Sequence, residues 1–467
     1  MSKKTKQDSL LTQLISEFEN SEKSFSQSLW EEKSYFKLIH FYEKHKHYDK
    51  ALEVVDMAIN TFKYRAEFII QKGKILLFSQ RPEEALDVLS YASHYAPYDI
   101  EIPLLKAKAL CLLRKIVEAK SLIDDVKRSS HLTDLTEILL VEAFIHESMK
   151  DYDKMFYTLK EVLETNPNNT EALEQIWVSV EFSKKYEESI RLHKDLIDQN
   201  PYSYLAWYNL GHAYSCLGEY EKAIEAMEYA FLINPSFEQG YLDCAELCLQ
   251  LSKYKQALDC FIEANEIFGP DSEIIVNMAE CYVKLGRHNE AKIKLLQAAD
   301  QDPFNDEIFF YLGECYAHEN NWRKAINYYN LAIDIDECRE EFHASLAAAY
   351  EAIGSLKKAE VHYRKAANCG QEQSQYWAKN ISFLLKNQLL DKASKRIQKA
   401  ERVSFGADIL FCKAACSFMN GDRPNAFNFL EEALDENSDC IHYLYDILPE
   451  LKADKEVIGM VRYFTTQ

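Results

Sequence analysis

The sequence predicts an all-α protein built as a solenoid of stacked helix pairs, and three observations carry that expectation. A recurring position, alanine in ten of twelve cases, falls at Ala51, Ala85, Ala119, Met155, Ser189, Ala223, Ala257, Ala291, Ala325, Ala359, Ala393 and Ala426. The successive spacings are 34, 34, 36, 34, 34, 34, 34, 34, 34, 34 and 33 residues. Such a beat marks a helix pair that cannot bury its apolar face alone and stacks on its neighbours. A second small position lies twelve residues earlier, at Gly73, Ala107, Ala143, Gly211, Ala245, Ala279, Gly313, Ala347 and Ala414. Small side chains at both places let two helices approach at the tight end of the roughly 8 to 10 Å packing range. The third observation is where proline is absent: a wrong register would drop some of the ten into helix interiors, at about 3 kcal/mol each.

Taken in order, Leu10 to Glu19 reads as a short helix in an N-terminal extension, residues 1–31. Residues 32–440 hold twelve helix pairs, each helix about 14 residues long. Pro97, Pro167, Pro201, Pro235, Pro270 and Pro303 fall at junctions between pairs, while Pro82 and Pro424 open second helices, where a missing N–H costs nothing. Pro103 lies in the first turn of a first helix. Five residues before the anchor, Gly218, Gly286, Gly354 and Gly421 supply the turn inside the pair. The pattern loosens where Ile39, Trp177 and Ile381 occupy the small position and Met155 and Ser189 replace the anchor alanine. Two extra residues near 128–134 make either a soft joint or a local repacking around Trp177. Residues 441–467, with Pro449, read as capping helices over the last apolar face.

Composition narrows the function. Of 467 residues, 47% are hydrophobic and 28% charged, enough for a core, and the scarcity of Pro (10) and Gly (12) suits short turns between helices. A net charge of -21 opposes nucleic-acid backbones and favours basic partners. Behind the basic start, Glu17, Glu19 and Glu22 interrupt the apolar run, so no signal peptide is expected. No stretch approaches the roughly 18 apolar residues of a membrane span. The twelve cysteines lack a framework spacing, disulfides are not expected, and a reducing cytoplasm is the expected address.

The sixth pair carries a family resemblance. Trp207, Leu210, Gly211, Tyr214, Ala223, Ala230 and Pro235 fall where the tetratricopeptide repeat family places its signature residues, and Phe309, Leu312, Gly313, Tyr316, Ala325 and Ala332 repeat the set. The chain resembles that family over about residues 32–440, which implies a right-handed α-α superhelix whose first helices line a concave groove. By that resemblance positions 2, 5, 6, 9, 12 and 13 face the groove, counting the anchor as position 20.

Position 9 then reads His40, Lys74, Lys108, Phe144, Val178, His212, Glu246, Glu280, Glu314, Ala348, Ser382 and Ala415. A secondary basic stretch, His40, Lys74 and Lys108, precedes a ladder of glutamates, Glu246, Glu280 and Glu314. Asp243, Glu273, Glu307 and Glu341 reinforce the ladder on the same face. With inner helices about 10 Å apart, each pair of carboxylates repels by roughly 0.4 kcal/mol in water and roughly 1.7 kcal/mol at an effective dielectric of 20. Such a ladder suits a basic segment of a partner. The alternative is a solvated stripe, since position 2 is glutamate in several pairs and there complements a helix N-terminus. Tyr208, Phe310, Tyr311, Leu104 and Leu140 are the expected apolar anchors.

Catalytic chemistry finds no purchase. Cys244 and Cys248, like Cys412 and Cys416, are one helical turn apart, which suits two ligands of a soft metal. No second pair completes a tetrahedron, and positions 7 and 11 face the core in the family, so the cysteines read as small apolar residues. No phosphate loop and no nucleophile, base and acid grouping is evident, so neither an enzyme nor a cofactor or metal is expected. The residues in which chaperone-binding members clamp a terminal carboxylate are missing, since position 5 is Tyr208, Leu242, Val276 and Phe310. The expected function is a protein-interaction scaffold, monomeric, that holds a partner segment. The alternatives are a structural subunit that self-assembles or caps a larger complex, and an accessory subunit delivering substrate to an enzyme.

Overall fold

The computed structural model describes residues 11–12, 14–16, 18–19, 30–129 and 135–465. Among them there is helix and no strand. The expected joint lies largely at 130–134, outside the described residues.

The chain divides after Gly240 into two compact units. In the first the helix pairs are Glu32–Lys44 with Tyr48–Thr61, Ala66–Phe78 with Pro82–Ala92, Glu101–Leu112 with Ile116–Ser129, Leu135–Ser148 with Tyr152–Thr165, Thr170–Ser183 with Tyr186–Gln199, and Tyr204–Cys216 with Tyr220–Ile233. The second begins inside Glu238–Gln250, which pairs with Tyr254–Phe268. Then come Ser272–Lys284 with His288–Gln301, Asp306–His318 with Trp322–Ile335, Glu340–Ala352 with Leu356–Cys369, Ser374–Lys386 with Leu390–Ala400, and Ala407–Met419 with Arg423–Asn437.

All twelve anchors lie in second helices and are at most 1% exposed. Their small partners leave no room for growth. A Cβ on Gly211 would meet Met227 Cγ at 2.7 Å and the Ala223 carbonyl oxygen at 3.1 Å, and one on Gly73 would meet Leu89 Cδ2 at 2.6 Å. Isoleucine is accommodated in the small place, with Ile39 and Ile381 fully buried, but the larger tryptophan of the fifth pair opens it. Trp177 stands half-buried in that place, and its helix approaches Tyr186–Gln199 far less closely than the two helices of the sixth pair approach each other. In the same pair Ser189 and His193 put polar atoms into the core. His193 Nδ1 stands 2.8 Å from the Ser189 carbonyl oxygen and 3.1 Å from its Oγ, while Nε2 is buried without a hydrogen bond. The eleven equivalent residues, four past the anchor, are apolar or tyrosine.

The turn inside each pair is more uniform than the sequence suggests. Five residues before every anchor the backbone is left-handed. Glycine takes this place at Gly218, Gly286, Gly354 and Gly421, with φ between 72° and 80°. Lys46, Gln80, Arg114, Lys150, Lys184, Ser252, Asn320 and Gln388 hold it elsewhere, at φ between 57° and 62°. The turn stays because its backbone is satisfied: Glu219 N–H donates to the Tyr214 carbonyl and Gly218 N–H to that of Ser215, both at 3.0 Å.

At the N-terminal end, Leu14 and Phe18 pack into the first pair, with Phe18 5.7 Å from the Tyr42 ring. After the last pair come the short helices Ser438–Ile441, His442–Ile447 and Pro449–Ala453, then Lys455–Thr465. Leu444, Ile447, Leu451 and Val457 join the core of the last two pairs. His442–Ile447 packs across the first helices Ser374–Lys386 and Ala407–Met419. Position 9 is accordingly buried there: Ser382 is 7% exposed and Ala415 not at all. The groove-lining role expected of these two residues is therefore corrected.

Candidate partner-binding surface

The first helices bring position 9 of one pair beside position 2 of a following pair, and the charge at those two places differs between the units. In the first unit the two are opposite in sign. Lys74 Nζ lies 2.5 Å from Glu101, and Lys108 Nζ lies 3.6 Å from Glu171. Both lysines of the expected basic stretch are thus neutralised within the chain, while His40 stands exposed on Glu32–Lys44. The stretch presents less free charge than its sequence promises.

In the second unit the same neighbours are both acidic. Burial, then Asp243 and Glu273, push the Glu246 carboxyl above its ordinary value. Burial, then Glu314, do the same to Glu341, against the opposing pull of Arg339, Lys284 and Lys379. Both glutamates remain reachable by water, so they sit in hollows that thin the bulk solvent around the charge without excluding it. Glu280, Glu314 and Glu341, from three successive first helices, line one cavity of about 380 Å³ together with Tyr311, Tyr376, Ser345 and Gln375. Tyrosines support the acids. Tyr329 Oη donates to Glu314 Oε1 at 2.6 Å. The Tyr311 phenol is raised by burial and then by the nearby Glu280, Glu341 and Glu307.

Not every expected residue joins this cavity. Glu307 is held by Arg339 at 2.9 Å, and that guanidinium also lies 3.6 Å from Asp306 and over the Phe342 ring at 5.0 Å. Asp243 and Glu273 accompany Glu246 instead. Phe310 is corrected: it reaches the cavity wall but is 4% exposed, because its ring stacks on Phe342 at 4.9 Å and packs on Tyr329. Leu104 and Leu140 are likewise buried in the core and offer a partner almost nothing. Tyr208, in the first unit, stands half-buried between His212 and Phe237, both edge-on at 4.4 and 4.8 Å. Lys284 and Lys379 were missed, although positions 13 and 6 are groove positions by the family's numbering. The pattern of acids and aromatics at positions 2, 5, 6 and 9 passed over them.

Cys244, Cys248, Cys260 and Cys281 are core residues, and the neighbouring Cys248 and Cys260 with burial hold the Cys244 thiol protonated. Among the described residues no group of three or more His, Cys, Asp or Glu is placed to hold a metal ion, and no helix is long and apolar enough to cross a membrane.

Family models described as tetratricopeptide repeat match residues 204–237 and 277–337. No curated protein matches the sequence. Solved structures similar to the chain include the APC/C hetero-tetramer Cut9-Hcn1, at 12% identity over 80% of this chain and 94% of that one, with a TM-score of 0.38. A tetratricopeptide repeat protein from Parabacteroides merdae is similar at 16% identity over 53% and 98%, with a TM-score of 0.38. A thermophilic tetratricopeptide repeat protein from Thermus thermophilus is similar at 22% identity over 39% and 99%, with a TM-score of 0.33. The matched segments fall on helix pairs that share the buried anchor, the small partner position and the left-handed turn, and over those segments the chain carries tetratricopeptide repeats.

Proposed function

We propose that this chain is a non-enzymatic interaction scaffold whose first-helix face in the second unit receives a segment of a partner protein through that segment's basic side chains. One observation carries the reading: Glu280, Glu314 and Glu341, at positions 9, 9 and 2 of successive pairs, share one cavity, whereas the corresponding places in the first unit pair lysine with glutamate. Like charges held together on a folded surface are relieved by a cation from outside. A partner lysine or arginine supplies it, with the half-buried Tyr311 ring on the cavity wall giving apolar contact.

The test is fluorescence anisotropy with basic peptides against wild-type protein and the triple variant Glu280→Gln, Glu314→Gln, Glu341→Gln. Binding weakens with salt, as the Debye length falls from about 14 Å at 50 mM to about 4 Å at 500 mM, and drops at least about tenfold in the variant. Equal affinity in both proteins refutes the site.

A second reading has its own observation. Tyr64, Tyr98, Tyr202, Phe304 and Phe405 all stand 21 residues before an anchor, at junctions between pairs, and are 71% to 99% exposed. Aromatics kept in water at a repeating place suit docking of the scaffold into an assembly. Sedimentation at two concentrations separates the two, because self-assembly shifts with dilution and segment capture leaves a monomer.

A further inference from the structure

Two lysines line the acidic cavity and act on Glu341 from a distance without closing an ion pair with it. Lys284 lies one turn beyond Glu280 on the same helix, and Lys379 comes from Ser374–Lys386, so they enter the cavity from the first and last of its four helices. Both are exposed. Neither makes an ion pair among the described residues, although three carboxylates line the same walls; Lys379 instead lies over the Tyr376 ring at 5.4 Å. Elsewhere in the array the groove lysines Lys74 and Lys108 are closed by intramolecular carboxylates.

We infer that the partner segment received here is of mixed charge, with a basic centre flanked by acidic residues. This rests on the reading that the acidic face binds a partner segment, and it names the segment's chemistry. The cavity carries three negative and two positive side chains, a net of minus one. A wholly basic segment satisfies the carboxylates but meets an ammonium group at each edge. A wholly acidic segment fails in the middle. Alternation satisfies all five groups, because Glu280, Glu314 and Glu341 take the basic centre while Lys284 and Lys379 take the flanks. The lysines act through specificity: they exclude the polybasic sequences that a purely acidic groove would accept.

The test uses three synthetic peptides with blocked ends and the same uncharged residues: basic centre with acidic flanks, wholly basic, and wholly acidic. Anisotropy is read against wild-type protein and two variants, Lys284→Glu with Lys379→Glu, and Lys284→Ala with Lys379→Ala, each checked for unchanged helical signal. The mixed peptide binds wild type at least about tenfold more tightly than the basic one. The glutamate variant reverses that order, and the alanine variant narrows it. If the basic peptide binds wild type as well as the mixed one, the lysine inference falls, while the acidic site survives provided that both peptides lose affinity to Glu280→Gln with Glu314→Gln and Glu341→Gln. If no peptide binds wild type, or none responds to the glutamine variant, both fall.

Discussion

Replacing Gly218 by alanine isolates the cost of the left-handed turn from every packing effect. At φ of 75° the new side chain adopts a conformation that L-residues resist by roughly 1–2 kcal/mol. No heavy atom lies within 4 Å of the added Cβ, so steric crowding adds nothing. The stiffer unfolded chain returns about 0.4–1 kcal/mol, leaving a net loss of about 0.5–1 kcal/mol. The reverse exchange, Lys184→Gly, removes the same strain at φ of 57° and gains about as much. Both sites lie in the first unit, so their effects fall on the same cooperative element. Urea and thermal unfolding followed by far-ultraviolet circular dichroism read the pair, with opposite shifts of about 2 °C in midpoint. A neutral or stabilising Gly218→Ala, or a destabilising Lys184→Gly, refutes the claim that one turn conformation is imposed on glycine and lysine alike.

Gly211→Ala loses stability despite alanine's better helix propensity, by about 1–2 kcal/mol, because the Ala223 carbonyl cannot retreat as a side chain can; chemical denaturation checks it. The fully buried His193 has its pKa lowered from 6.5 to about 4 by burial, so the unfolded chain binds the extra proton between those values. Stability is therefore complete above about pH 6.5 and declines as pH falls toward 4, and Ser189→Ala with His193→Leu flattens part of that decline in a pH series of melting curves and raises stability at pH 7. Phe310→Ala costs about 3–5 kcal/mol of stability as a core truncation, read by chemical denaturation, whereas Tyr311→Phe keeps the ring and leaves both the melting temperature and peptide binding nearly unchanged.

The repeat was legible because its signal is geometric. A residue that must be small at a helix crossing shows itself along the array, as alanine in ten of the twelve pairs from Ala51 to Ala426. The turn was half legible: glycine advertises a left-handed backbone, but a lysine or glutamine tethered by two backbone hydrogen bonds leaves no mark in composition. The site was legible in its acids and obscure in their surroundings. Whether Lys74 is free depends on Glu101, from the next pair, and whether Glu307 is free depends on Arg339, 32 residues on. The apolar anchors failed for a related reason. Position 5 is half-buried at Tyr208, yet Phe310 at the same position rotates its ring onto Phe342, a contact that spacing does not encode.

Site-specific photo-crosslinking tests the central claim most directly. A benzophenone side chain placed at Ser345, on the wall of the acidic cavity, or at Tyr98 or Phe304, at the exposed junctions, reports which surface a partner touches in cells. The account predicts a discrete crosslinked species from Ser345 that disappears when Glu280, Glu314 and Glu341 are changed to lysine. A species formed from Tyr98 or Phe304 and not from Ser345, or one from Ser345 that survives the charge reversal, contradicts it.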